Sequence, residues 1–98
     1  MSVLTISYDL HKEPSRQYVE LEKALKAAGA WCHALESTWY VKTALQPRQM
    51  VAYLKPYLHA QDKIAVTPVA LDRGWWTQGL SKEVLDWLRE ALTASAVA

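Results

Sequence analysis

The stretch Leu4-Thr5-Ile6-Ser7-Tyr8-Asp9 decides how this chain folds. Leu4, Ile6 and Tyr8 alternate with Thr5, Ser7 and Asp9, the period of a strand buried on one face. Such a strand needs neighbours in a sheet and helices over its apolar side. Downstream, Pro14 and Ser15 introduce a helix whose Tyr18, Leu21, Leu25 and Ala28 share a face. Ser15 is its expected N-cap and Gly29 its stop, and Glu22 and Lys26 form an i,i+4 pair on its solvent side. Trp31 to Leu35 reads as a second strand, Glu36-Ser37 as a turn and Thr38 to Thr43 as a third strand. In the third strand Trp39 and Val41 face one side, while Thr38, Tyr40 and Lys42 face the other. Pro47 opens a second helix over Met50, Val51, Leu54 and Leu58, which Pro56 should kink or turn irregular. Ala60-Gln61-Asp62 then leads into a fourth strand from Lys63 to about Leu71, with Ile64 and Val66 buried.

Strand-helix-strand-strand-helix-strand is the order of a ferredoxin-like α+β sandwich, with a four-stranded antiparallel sheet and two helices on one face. It spans residues 1–71 of a single domain. The opposite face is lined by Thr5, Ser7, Asp9, Tyr40, Lys42 and Thr67. It is too polar for a hidden core and too aromatic for plain surface, which predicts partial cover by a partner chain. Residues 72–80 hold Trp75 and Trp76 between Gly74 and Gly79, a loop that must dock on something. Ser81 caps a third helix over residues 81–93, with Val84, Leu85, Leu88 and Leu92 inward and Trp87 at the flank. The tail beyond it is expected to fray.

Ninety-eight residues, 51% of them hydrophobic, suffice for one core. Five Trp and five Tyr with no Phe favour rings that have a polar edge, suited to half-exposed surfaces. A net charge of +1 provides no overall field toward nucleic acid or a membrane surface. The single Cys32 excludes an intrachain disulfide and a thiolate-only zinc site, and fits a reduced, buried thiol in a cytoplasmic protein. The N-terminus lacks a basic region and Asp9 interrupts its apolar run, so it reads as strand and not as signal peptide. No stretch approaches the roughly 20 apolar residues of a membrane span.

Chemistry has few candidates. Asp9 is the acidic residue within a strand, at its end and beside Ser7. One carboxylate is a poor cation site, but two brought together across a twofold axis would hold Mg²⁺ or Mn²⁺ with water and phosphate. Taken alone, Asp9 equally suits a strand-end acceptor that starts a turn with His11. His11, Lys12 and Arg16 form the local basic cluster, able to meet phosphate, to provide a general acid or base, or to be a solvated loop and first helical turn. His33 and His59 read as structural. No HExxH, CxxC, GxSxG or phosphate-binding loop is present.

Ile6-Ser7-Tyr8-Asp9-Leu10, Tyr18 with Leu21, Ser37-Thr38-Trp39-Tyr40-Val41, Gly74-Trp75 and Gly79-Leu80-Ser81 together resemble the SinR family of small bacterial proteins. That family is similar, more distantly, to the CRISPR-associated protein Cas-two and to virulence-associated protein D. The resemblance implies a homodimer whose sheets face one another, with Asp9 matching the strand-end aspartate of metal-dependent phosphodiester cleavage. On that reading the protein is an endonuclease, on RNA more than DNA. Asp9 and its mate hold the metal, Ser7 supports them, and His11, Lys12 and Arg16 contact nucleic acid. The alternative is a non-catalytic dimeric adaptor that binds protein or nucleic acid through Tyr40, Trp75 and Trp76.

Overall fold

The computed structural model describes residues 1–11, 15–70 and 74–97, of which 15–17 and 93–97 by backbone only. Its elements are β1 (Ser2–Asp9), α1 (Ser15–Ala27), β2 (Ala30–Leu35), β3 (Thr38–Thr43), α2 (Pro47–Leu54), β4 (Lys63–Pro68) and α3 (Lys82–Val97). The strands form one sheet in the order β2-β3-β1-β4, and each neighbouring pair is antiparallel. The mixed α+β architecture and the antiparallel four-stranded sheet are therefore as the alternating pattern implies. None of the described helices is long and apolar enough to cross a membrane.

Alternation along β1 sorts its side chains to two faces. On the first, Leu4 and Ile6 join Trp39 and Val41 of β3. Leu21, Ala24 and Leu25 of α1 and Met50 and Leu54 of α2 close over them, and all nine are buried. Trp39 has no exposed surface. Its Nε1 donates to the Tyr8 hydroxyl at 2.9 Å, and the His33 ring stacks on its indole at 4.1 Å. Burial pushes the Tyr8 hydroxyl pKa up, and the Trp39 N–H only partly opposes this. The end of α1 leaves carbonyls without helical partners. The Tyr53 hydroxyl donates to that of Ala24 at 2.7 Å and the Thr43 hydroxyl to that of Ala28 at 2.9 Å. At Gly29 a Cβ would run into the Lys42 carbonyl oxygen, so the chain between α1 and β2 needs glycine there. Pro56 ends α2 in a short 3-10 turn, Lys55–Tyr57, as its missing N–H requires.

The second face departs from expectation. α3 of the same chain lies across half of it, packing Leu88, Ala91 and Leu92 on Val3. Tyr40, expected on an interaction surface, packs against this cluster together with Val84 and Trp87 and is half-buried. The reason is the helix's own apolar stripe, which needs a surface to cover and finds one within the chain. Leu85, expected inward, instead lines a groove with Trp75 and Trp76. Two boundaries also shift. β4 stops at Pro68, short of Leu71, after which Val69 makes the last bond, to the Val3 carbonyl. Leu71 itself lies outside the described residues. α3 runs to Val97, because nothing from Thr93 onward breaks a helix. The cap expected of the Ser15 side chain also falls outside the description.

Replacing Tyr8 with Phe leaves the buried Trp39 N–H without its acceptor. Urea titration of Tyr8→Phe should show a loss of about 1–3 kcal/mol. An unchanged midpoint would mean that the N–H finds another partner.

Candidate functional site

Asp9 closes β1 and pairs across the strands with Lys63, the first residue of β4. It is exposed, on the face away from α1 and α2, and beyond the half that α3 covers. Ser7 lies two residues earlier on that face, its hydroxyl 3.3 Å from that of Thr38. Ser7, Asp9, Lys63 and Ala65 line a shallow depression of about 320 Å³. Lys63 is the residue directly opposite Asp9 in the register of β1 on β4. Among the described residues no group of three or more His, Cys, Asp or Glu side chains could hold a metal ion. One chain brings a single described carboxylate, that of Asp9, to this depression.

The basic cluster is only partly placed. The His11 side chain is exposed, while its backbone N–H is held by Asp62. Lys12 and the Arg16 side chain lie outside the described residues. Asp62 is the organising carboxylate at this end of the sheet, a residue the sequence marks only as part of a turn. Its Oδ1 accepts the His11 N–H at 2.7 Å and the Tyr18 hydroxyl at 2.9 Å. Its Oδ2 accepts the His59 N–H at 2.8 Å. The Asp62 N–H answers to the His59 carbonyl, so His59 to Asp62 forms a closed turn. One side chain thereby ties the end of β1 to α1 and to the turn before β4. The signal in the sequence was Asp at the end of a polar turn, the residue type that bonds backbone N–H groups locally. Asp62 is thus the acceptor of the His11 N–H just past the end of β1. His59 sets its ring edge-on to Tyr18 at 5.7 Å.

The aromatic loop presents a second site. Trp75 is 41% exposed and Trp76 94% exposed. With Thr77, Leu85 and Arg89 they line a groove of about 260 Å³ along the outer side of α3. Asp86 lies beside it, 2.7 Å from the Lys82 ammonium and 3.8 Å from the Arg89 guanidinium. The hydrogen bond from Lys82 holds the Asp86 carboxyl below its usual range. Tyr40 is not part of this groove, since it belongs to the cluster beneath α3. Cys32 is buried on the sheet, and burial raises its thiol pKa.

No protein-family model, curated protein or solved structure matches this chain. What the sites can do is read from their own side chains.

Partial burial alone would raise the Asp62 carboxyl pKa. The N–H groups of His59 and His11, the Tyr18 hydroxyl and the nearby His59 ring outweigh that and hold it below 3.8, its ordinary value. The folded state thus binds this proton less readily than the unfolded state does. The stability Asp62 adds is complete above that ordinary value and is lost as pH falls through the lower, folded one. In acid titrations Asp62→Asn should flatten this part of the stability curve. A slope identical to the wild type would show that other carboxylates carry it.

Proposed function

We propose that this protein is a non-catalytic binding module of ferredoxin-like fold, docking a protein partner through Trp75 and Trp76. The observation that carries the reading is the 94% exposure of Trp76, next to a half-exposed Trp75 and an exposed Arg89. Trp and Arg are the side chains that most often anchor protein interfaces, and a bare indole gains most from being covered. The near-neutral charge favours protein over nucleic acid, whose affinity depends on phosphate neutralisation. The ferredoxin-like assignment is supported by the strand order β2-β3-β1-β4 and by α1 and α2 sharing the face of Leu4 and Ile6. Kinship with the SinR family rests on the residues quoted for it, and a cytoplasmic location on the reduced Cys32.

One observation favours the nuclease reading. Asp9 is exposed on the half of the second face that α3 leaves open, where a twofold copy could bring another Asp9 beside it. The two readings separate cleanly. Labelled RNA and DNA incubated with the protein and Mg²⁺ or Mn²⁺ should stay intact, with wild type and Asp9→Asn alike. Cleavage that the variant abolishes would replace the binding module with a metal-dependent nuclease. For the docking itself, Trp76→Ala should unfold within about 0.5 kcal/mol of wild type, as exposed positions do. A partner that cross-links to the wild type should be lost from Trp75→Ala/Trp76→Ala, and retention of that partner would move the interface elsewhere.

A further inference from the structure

The two edges of the sheet are treated differently. β4, at one edge, begins with Lys63 and ends with Pro68, the residue types that discourage pairing with another strand. β2, at the other edge, reads Ala30-Trp31-Cys32-His33-Ala34-Leu35 and has neither lysine nor proline. β2 pairs only with β3 among the described residues, so alternate N–H and C=O groups along its outer edge face outward. The register shift between Cys32 and Leu35 interrupts the regular ladder, which leaves Ala30 to His33 as the stretch another strand can join.

This free edge lies at the foot of a trough. Trp31, Cys32 and His33 line a hollow of about 280 Å³ together with Glu83, Val84 and Trp87 of α3. Ala30 and Lys42 line an adjoining hollow of about 250 Å³ with Trp87, Glu90 and Ala91. Trp87 lines both, so the two hollows adjoin at its indole and follow β2 in succession. Glu83, Trp87 and Glu90 stand at i, i+4 and i+7, one stripe of α3. Their span of about 10 Å matches roughly three residues of an extended chain. Lys42 stands at the Glu90 end and offsets that charge, so Glu83 sets the sign of the α3 wall. On the other wall Trp31 is 40% exposed, with the Lys26 ammonium 5.0 Å from its ring centre.

We propose that this groove takes an extended peptide segment of another protein, which adds to β2 as a fifth strand and alternates basic with apolar residues. Main-chain hydrogen bonds to Ala30–His33 supply the pairing, and alternate side chains go to opposite walls. Basic residues face Glu83, and apolar residues lie on Trp31. A second copy of β2 fits less well, because the strand carries no Lys or Arg for the acidic wall. The groove shares no residue with the Trp75–Trp76 loop, so this inference stands apart from the function proposed above.

A fluorescein-labelled octapeptide of alternating lysine and valine serves as the probe, read by anisotropy and by amide hydrogen exchange. It should bind and slow exchange at Ala30–His33. Glu83→Lys and Trp87→Ala should each weaken it tenfold or more, as should replacing its lysines with glutamates. Trp75→Ala/Trp76→Ala should leave its affinity unchanged. The proposal is overturned by no binding at millimolar peptide, by equal affinity for the lysine and glutamate peptides, or by protection confined to residues 74–77. It is likewise overturned if Ala30–His33 become protected with rising protein concentration alone, which would give the groove to a second copy.

Discussion

Trp39 sits at the centre of the sheet with no exposed surface, and its one polar atom is satisfied by Tyr8 of the adjoining strand. A ring of that size buries enough area to contribute roughly 4–6 kcal/mol. This contribution exists only if β3 keeps its pairing of Trp39 with Ile6 and of Tyr40 with Thr5. A slip of one residue would carry the indole to the other face and put Tyr40 in the core. The register of β3 on β1 therefore sets which side chains each helix meets. His33 of β2 stacks on the same indole, so the third strand in the row is fixed by it as well.

With the first face closed by α1 and α2, the second becomes the variable part of the molecule. α3 covers the half that carries Val3 and Tyr40, and leaves the half that carries Ser7 and Asp9 to solvent. The same helix has three sides in use. One packs on the sheet, one supports the Trp75–Trp76 loop through Leu85 and Arg89, and one forms the acidic wall beside β2. Both proposed docking surfaces thus depend on α3, although neither shares a residue with the other. The Asp9 depression is independent of it.

The fold was legible where one periodicity dominates. Leu4, Ile6 and Tyr8 in β1, and Trp39 and Val41 in β3, announce their faces by alternation, and Pro56 announces the end of α2 by its missing N–H. The site was much less legible. A single Asp at a strand end drew attention to Asp9, while the carboxylate that binds three segments together is Asp62. Nothing local marks that difference, because two of Asp62's partners, His11 and Tyr18, are more than forty residues away. Likewise Gly29 reads as an ordinary helix stop. The close approach of the Lys42 carbonyl that also demands glycine is a property of the assembled sheet. The role of α3 was missed for a related reason: an amphipathic stripe states that a helix needs a surface, without saying whose.

The place of α3 in the chain has a consequence for synthesis. The four strands are complete at Pro68, yet the helix that shields Val3 and Tyr40 begins only at Lys82. While the polypeptide is being made, the sheet can form with that flank bare and apolar for the time the intervening residues take to emerge. Until α3 has emerged and docked, that flank is open to wrong contacts between chains, as exposed apolar surface on an incomplete fold is.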